Sequence, residues 1–315
     1  MYADVLPDGL PEILPPYENG IFQAVLTLPE SRAALVSAVG AFIGQPVASV
    51  TLRQNENPVR SADAKQERYD IHCSVGGENG DQCNVEMQAS PMAGDSRGNE
   101  HRNIKWRSVY NLCHLHANQK GRGLRYGHFV RSYQIMLCNY KAFDFKNEPV
   151  ERYTFRNQKG VMLCDAVTSV FIDLTQAREI MKKPVDEMSD IECWIVFFAL
   201  GNDPKCRESI AGIAKAKEGI AVAYDTLLSI SASADERARY LSRRMWLQDQ
   251  EHVRVVMREE GLEEGRKEGL EEGREEGYQK ARLEYEAKSA AKDAEIEALR
   301  ALLRAQSENK SEGQP

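Results

Sequence analysis

The stretches Tyr69-Asp70-Ile71-His72 and Val85-Glu86-Met87-Gln88 decide the fold of this chain. Each alternates apolar with polar residues, as a half-buried β-strand does. Residues 76–81 lie between the alternating runs and read Gly-Gly-Glu-Asn-Gly-Asp, residue types that tolerate the positive φ angles of a tight turn. The sequence therefore predicts an antiparallel β-hairpin centred near Glu78, with Asp70 opposite Glu86.

The two faces of this predicted hairpin differ in chemistry. Its apolar residues face the core, whereas Asp70, Glu86 and Gln88 share the opposite face. Two carboxylates facing each other across a β-ladder repel, which destabilises the hairpin unless a cation lies between them. The geometry predicts a metal site. The alternative interpretation is a pair of ordinary, solvent-facing strand carboxylates.

Composition limits the class of protein. The chain has 315 residues, 42% of them hydrophobic, enough for one large domain or two of ordinary size. Its seven cysteines form no CxxC pair and are odd in number, which argues against a disulfide framework and a zinc knuckle. The longest apolar stretch, Trp194 to Leu200, is too short to cross a bilayer. We expect a cytoplasmic location and no membrane partner.

Charge is unevenly distributed along the chain. The net charge is −7, and Arg258 to Gly277 holds nine Glu against four Lys and Arg. Arg97 to Arg131 instead holds eight Lys and Arg against Glu100 alone. A basic segment beside a metal-binding carboxylate pair fits a phosphodiester substrate. The alternative is a solvated helix face.

The remaining elements predict a mixed α/β fold, with helices and strands alternating around the hairpin. The spacing predicts two helices between Gly20 and Ile43, a helix over Asn99–Asn118, a buried strand within Phe129–Tyr140 and a second hairpin within Glu151–Leu174. On the Asn99–Asn118 helix, the predicted inward residues are Ile104, Ser108, Leu112 and Leu115. Further helices are predicted over Ile191–Leu200, Ile210–Ile230 and Ala234–Met257.

A second stripe on the Asn99–Asn118 helix carries Arg102, Trp106, Tyr110 and His114 at i, i+4 spacing. Arg102, Trp106 and Tyr110 could engage phosphates and bases. Trp and Tyr at this spacing are more often core residues, however. For His114 and His116, which point apart on a helix, we favour packing and surface roles over metal ligation.

The C-terminal segment carries glycines at 261, 265, 269, 273 and 277, a strict period of four. A glycine stripe can admit a second helix closely, which suggests an oligomerising helix. Each glycine also costs about 1 kcal/mol relative to alanine, which favours a solvated and partly helical tether. Lys292 to Ala305 adds about two heptads of apolar seam and could pair with another copy.

The hairpin and its surroundings resemble the Rpn family, recombination-promoting nucleases also described as transposase-like proteins of the PD-(D/E)XK superfamily. The resemblance rests on Asp70, the glycine-bearing turn, Glu86-Met87-Gln88, Ile21-Phe22 in the opening helix, and Arg102 with Trp106 and Tyr110. It covers roughly Tyr17 to Met257, and the glycine-glutamate tail is also similar to tails in that family.

The resemblance implies a restriction-endonuclease-like core, a mixed sheet flanked by helices, that cleaves DNA. It implies that Asp70 and Glu86 bind Mg²⁺ or another divalent cation, and that Gln88 stands where the wider superfamily has a catalytic lysine. Lys105 could replace that lysine if its side chain reaches the hairpin. The basic residues expected to hold DNA are Arg102, Lys105, Arg107, Lys120, Arg122 and Arg125.

One departure from the family pattern concerns the first helix. Some family members carry Asp-x-x-Phe-Lys there, whereas this chain reads Asn19-Gly20-Ile21-Phe22-Gln23, with neither the acid nor the lysine. The neighbouring Glu18 could substitute as a ligand. The departure keeps a second function open, a DNA-binding protein on the same fold that has lost catalysis. The C-terminal tail keeps a third function open, an oligomeric scaffold with a relic nuclease domain.

The predicted organisation has four parts. An extended lead-in covers residues 1–16 and the nuclease core covers 17–185. A helical extension packed on the core covers 186–257, and the Gly/Glu-rich tail covers 258–315. The predicted function is a metal-dependent DNA endonuclease with a role in recombination or mobile-element processes, and the tail predicts a homo-oligomer.

Overall fold

The computed structural model describes residues 12–53, 70–90, 100–119 and 128–311. Within these ranges the chain forms a six-stranded sheet in the order β1-β2-β3-β4-β6-β5. The strands are β1 (Val50–Leu52), β2 (Ile71–Val75), β3 (Asp81–Gln88), β4 (Ser132–Cys138), β5 (Val150–Tyr153) and β6 (Val167–Asp173). Pairing is antiparallel for β1–β2, β2–β3 and β5–β6, and parallel for β3–β4 and β4–β6. The predicted mixed sheet is confirmed.

The hairpin formed by β2 and β3 has the predicted register. Ile71 pairs with Val85 and Val75 with Asp81, so the turn is centred on Glu78. Gly76 and Gly77 have φ angles of 82° and 106°, which side-chain-bearing residues rarely adopt. Extending the register by one residue places Asp70 opposite Glu86. Tyr69, which was predicted to belong to the first strand, lies outside the described residues.

The hairpin is more deeply buried than a half-solvated strand. In β3 every residue from Gln82 to Gln88 is buried, including Asn84 and Glu86. The reason is topological, because β3 lies inside the sheet and pairs in parallel with β4, and sheets of this kind carry helices on both faces. The interpretation of Glu86 as a solvent-facing strand carboxylate is therefore wrong.

Two layers of helices cover the sheet. On one face, Ile71, Val85 and Ile135 pack in a large core with five helices. These helices are α1 (Asn19–Thr27), α2 (Arg32–Ile43), α5 (Asp190–Leu200), α6 (Arg207–Ala216) and α7 (Glu218–Ala232), and a short α4 (Ala177–Ile180) joins the same core. On the other face, Ile104 of α3 (Glu100–Ala117) packs against Met136. The inward residues predicted for α3 are all buried.

The C-terminal part differs from expectation at two places. The predicted helix over Ile210–Ile230 is divided at Lys217, whose extended backbone (φ −131°, ψ 104°) separates α6 from α7. Beyond it, α8 runs without interruption over Ala234–Ser311, through all five periodic glycines. The tail is thus helical over its described length, which disfavours the interpretation as a partly helical tether.

Two further features of the fold are the N-terminal segment before α1 and the division of the chain into compact units. Residues 12–15 form neither helix nor strand, and Pro16 begins a turn. Ile13 and Leu14 are buried, and the Leu14 amide donates to Ser231 Oγ at 2.9 Å. Residues 1–11 lie outside the described ranges. By contacts the chain divides after Tyr240 into two compact units.

No single helix among the described residues is long and apolar enough to cross a membrane. Asn19–Thr27 and Pro29–Ile43 reach that length and apolarity only as a pair bent by 71°. Their buried apolar residues belong to the core described above.

Candidate active site

Glu86 lies at the centre of a buried polar network beneath α3. Its side chain has no exposed surface, and three amide groups donate hydrogen bonds to its Oε1. Asn111 Nδ2 of α3 donates at 2.7 Å, Asn84 Nδ2 of β3 at 2.9 Å and Gln134 Nε2 of β4 at 3.2 Å. Buried charges persist in proteins only when they are paired and hydrogen-bonded. This amide cradle fixes one carboxylate oxygen and directs the other away from the three amides.

The second oxygen of Glu86 is paired with an arginine. Arg107 Nη2 of α3 lies 2.8 Å from Oε2, and the arginine side chain keeps 37% of its surface exposed. Arg107 therefore connects a fully buried carboxylate with the protein surface. It was predicted only as a DNA-binding residue, and the structure adds its contact with Glu86.

Asp70 lies immediately before β2 and is held from two directions. The Met87 backbone N–H donates to Oδ2 at 2.9 Å, and Asn19 Nδ2 of α1 donates to Oδ1 at 2.8 Å. Gln23 Nε2 in turn donates to Asn19 Oδ1 at 2.9 Å. The first helix thus reaches the predicted site through a chain of two amides, at the two positions where the resemblance led us to compare an acid and a lysine.

The electrostatics of Asp70 show that the two carboxylates interact. Burial raises the pKa of Asp70, the hydrogen bonds from Met87 and Asn19 counteract the rise, and the nearby charge of Glu86 raises the pKa further. A carboxyl group whose ionisation is disfavoured by burial and by a second carboxylate gains most from a bound cation.

The donor set suits a hard cation. Asp70 and Glu86 offer carboxylate oxygens, and Gln88 follows Glu86 by two residues in β3, which puts it on the same face of the strand. Gln88 is 9% exposed. Within the described residues no group of three or more His, Cys, Asp and Glu side chains is placed to hold a metal ion. Mg²⁺ commonly uses one or two carboxylates and completes its octahedron with water and substrate phosphate, so these residues fit that ion.

The other predicted basic residues divide into two groups. Lys105 Nζ lies 3.9 Å from Asp144 Oδ1 and 5.0 Å from the centre of the Phe143 ring, so its described contacts are with the segment after β4. The side chain of Arg102, and the residues Lys120, Arg122 and Arg125, lie outside what the structure describes. Of the predicted DNA-binding set, Arg107 is the one seen beside a predicted ligand.

The aromatic residues on the outer face of α3 are exposed, whereas aromatic residues at this spacing more often pack in a core. Trp106 is 65% exposed and Tyr110 is 60% exposed. The Tyr110 and His114 rings are stacked, with centroids 6.1 Å apart and planes 6° from parallel. His116 instead lies against the sheet, with Nδ1 3.0 Å from Ser132 Oγ. Packing and surface roles for the two histidines agree with these contacts.

Sequence reasoning missed the amides that hold the two carboxylates. Asn84 shares the polar face of β3 with Glu86 by strand parity, which was a usable signal. Asn111 falls on the inward stripe of α3, where a polar residue among apolar ones was a second signal. Gln134 lies in a run that was treated only as a buried strand. No local signal connects Asn19 with Asp70, because 51 residues separate them.

A hairpin carrying one buried and one partly buried acidic group, placed in a mixed sheet between helical layers, is typical of the PD-(D/E)XK class of nuclease folds. A family model described as PD-(D/E)XK nuclease family transposase matches residues 17–255. The chain belongs to this family. Neither the comparison with curated proteins nor that with solved structures gave a significant match.

Proposed function

We propose that this protein is a metal-dependent DNA endonuclease in which Asp70 and Glu86 hold Mg²⁺ or a similar divalent cation. The observation that carries the proposal is the paired arrangement of the two carboxylates. N–H groups donate hydrogen bonds to both carboxylate oxygens of Asp70 and to Oε1 of Glu86. The charge of Glu86 also disfavours ionisation of Asp70. Membership of a nuclease family supplies phosphodiester hydrolysis as the reaction class and DNA as the substrate.

The residues of the proposed site have different roles in the reaction. The amide cradle orients Glu86 so that Oε2 is its ligand atom. A bound divalent cation would supply Lewis-acid activation of water and phosphate. Gln88 carries no charge, so its amide can orient a water molecule but cannot neutralise the transition state. Arg107 lies beside Glu86 with a partly exposed side chain, and we assign its guanidinium to a phosphate oxygen of the substrate.

Lys105 and the basic segment complete the proposed DNA contacts. Lys105 would reach the backbone of the substrate if it left Asp144, a contact at 3.9 Å with an exposed carboxylate that contributes little stability. Arg102, Lys120, Arg122 and Arg125 remain proposed phosphate contacts on the strength of the basic bias of Arg97–Arg131.

The test is nicking of supercoiled plasmid with Mg²⁺, in parallel with EDTA. We expect wild-type protein to nick in Mg²⁺ only, and Asp70→Asn and Glu86→Gln to lose at least about 100-fold in rate, as expected when a metal ligand is removed. Tyr278→Phe, an exposed residue of α8, is the control that should remain active. Equal nicking by all four proteins would overturn the site assignment.

A second function, DNA binding without cleavage, is favoured by one observation. Asn19 and Gln23 place neutral amides where some relatives have an acid and a lysine, so α1 contributes no charge to the site. Under this alternative the same plasmid is bound but not nicked in Mg²⁺. The biological setting that we propose, recombination or movement of genetic elements, follows from the transposase description of the family.

We also propose that α8 associates with another copy of the chain. Exposed apolar side chains recur along it, namely Leu262, Leu270, Tyr278, Leu283, Tyr285, Ile296 and Leu299. Five glycines within one helix lower its intrinsic stability by about 1 kcal/mol each. Contact with a second helix would offset this loss of stability. Sedimentation should show an oligomer for the full chain and a smaller species for a chain ending at Met257. An unchanged sedimentation coefficient, after correction for mass, would exclude this role.

A further inference from the structure

We propose that the outer face of α3, formed by Trp106, Tyr110 and His114, is a stacking platform for unpaired bases, so that the preferred substrate is DNA with single-stranded segments beside the cleaved phosphate. This inference rests on the proposed nuclease function and narrows its substrate class. It concerns residues that take no part in holding the cation.

The platform is defined by exposure and by ring geometry. Trp106, Val109 and Tyr110 are 65%, 57% and 60% exposed, whereas Ile104 and Ser108 on the opposite side of the helix are fully buried. The stacked Tyr110 and His114 rings continue the line that starts at Trp106, each four residues from the last. The helix therefore presents flat, largely apolar ring surfaces to the exterior, where core packing cannot account for them.

The platform adjoins the proposed active site. Residues three or four apart on a helix are surface neighbours, so Tyr110 lies beside Arg107 and Trp106 lies beside Tyr110. Arg107 in turn contacts Glu86 at 2.8 Å. A nucleotide whose phosphate meets Arg107 would thus have its own base, or the base next to it, within reach of the Tyr110 ring.

Charge favours nucleic acid over a protein as the occupant of this face. The segment Arg97–Arg131, which includes all of α3, has eight Lys and Arg and a single Glu. An apolar protein partner would not need this excess, whereas a polyphosphate strand does. Aromatic rings combined with a basic surface are the usual means of binding single strands without sequence preference.

Ring stacking also distinguishes unpaired from paired DNA. In a duplex the flat faces of the bases are covered by their neighbours, and only their edges are open in the grooves. Trp and Tyr can stack on a base only where the strand is single or has been opened. Loss of one such ring weakens binding by about 5- to 150-fold in known single-strand binders.

The experiment measures binding by fluorescence anisotropy, with full-length protein in EDTA so that cleavage does not interfere. The probes are a labelled single strand, a blunt duplex and a duplex with a single-stranded flap, all at one salt concentration. We expect the flap and the single strand to bind more tightly than the blunt duplex. Trp106→Ala and Tyr110→Ala should each weaken flap binding about 10-fold and leave the blunt duplex unchanged.

Two control variants separate stacking from other effects. Trp106→Phe keeps a ring and should restore most of the flap affinity. Phe155→Ala removes an exposed ring that lies outside α3 and α8, and it should leave the flap affinity unchanged. If Trp106→Ala and Tyr110→Ala lost equal affinity for the flap and for the blunt duplex, or lost affinity for neither, the platform would be overturned. A changed sedimentation coefficient of Trp106→Ala with unchanged DNA affinity would also overturn it, because the face would then bind protein.

The outcomes also separate this inference from the proposed function. Ring-dependent flap binding without Mg²⁺-dependent nicking supports the platform and counts against the nuclease. Nicking of plasmid that is unaffected by both ring variants, together with unchanged flap affinity, supports the nuclease and overturns the platform.

Discussion

Arg107 Nη2 and Glu86 Oε2 are 2.8 Å apart, which places a cation on the carboxylate oxygen that we assign to the metal. On the proposed assignment, Arg107 and the metal ion are alternative partners for Glu86 Oε2. The guanidinium can leave, because more than a third of its side chain is exposed, whereas Glu86 is fully buried and fixed by three amides. Exchange of one cation for another would free Arg107 for phosphate.

The first prediction concerns this exchange. Arg107→Gln leaves Glu86 without its ion pair, so in EDTA the free energy of unfolding should fall by about 1–3 kcal/mol. Mg²⁺ should recover part of the loss, because it can replace the missing positive charge. Thermal denaturation with and without Mg²⁺ measures both effects. Arg178→Gln, which breaks an exposed pair with Asp203, is the control, and an equal Mg²⁺ response in the two variants would contradict the exchange.

The second prediction concerns the amide cradle. Asn111→Ala removes the shortest hydrogen bond to Glu86 Oε1, so Oε2 should lose its fixed direction and the affinity for Mn²⁺ should fall about 10- to 100-fold. Ser108→Ala is a matched control on the same buried side of α3, where Ser108 Oγ lies 2.7 Å from Ser169 Oγ. It should cost about 1 kcal/mol of stability and leave Mn²⁺ binding intact. Equal Mn²⁺ affinities in the two variants would show that the cradle is only structural.

The third prediction introduces an acid at position 19, in the first helix. Asn19→Asp replaces a donor to Asp70 with a third carboxylate, so stability in EDTA should fall by about 2 kcal/mol. Mg²⁺ should raise the melting temperature of this variant more than that of wild type. Asn19→Ala also loses the hydrogen bond but adds no charge, so its Mg²⁺ response should not exceed that of wild type. If both variants respond alike, α1 does not face the cation.

The fourth prediction is a pH dependence. Cation binding requires ionised Asp70, and burial raises the pKa of this carboxyl group. Mn²⁺ binding should therefore weaken on acidification at a higher pH than for an ordinary aspartate. Because the Asn19 hydrogen bond lowers the pKa of Asp70, Asn19→Ala should shift the loss of binding to a still higher pH. Mn²⁺ titrations over a pH series measure the shift. If the pH dependence of Mn²⁺ binding were the same in Asn19→Ala and wild type, Asp70 would not control binding.

The hairpin could be predicted from sequence because its information is local. Strand parity and the glycine turn fixed the register, so the position of Asp70 opposite Glu86 followed from residues within twenty positions of each other. The inward stripe of α3 was likewise predictable from its period. These features need no knowledge of the rest of the chain.

The supporting contacts could not be predicted because they are made between distant elements. Asn19 reaches Asp70 only once α1 packs beside the hairpin, and Gln134 meets Glu86 only through the parallel pairing of β3 with β4. Burial of Glu86 also depends on α3 covering the sheet. The exposure of Trp106 and Tyr110 could not be predicted either, since large aromatic rings at helical spacing are compatible with a core and with a nucleic-acid surface.

The central claim is that Asp70 and Glu86 together form one cation site, and Mn²⁺ binding followed by electron paramagnetic resonance of the free ion tests it most directly. Wild-type protein should bind one ion per chain competitively with Mg²⁺. Asp70→Asn and Glu86→Gln should each lose this ion while remaining folded by circular dichroism, and Arg178→Gln should retain it. Undiminished Mn²⁺ binding by either carboxylate variant would contradict the account.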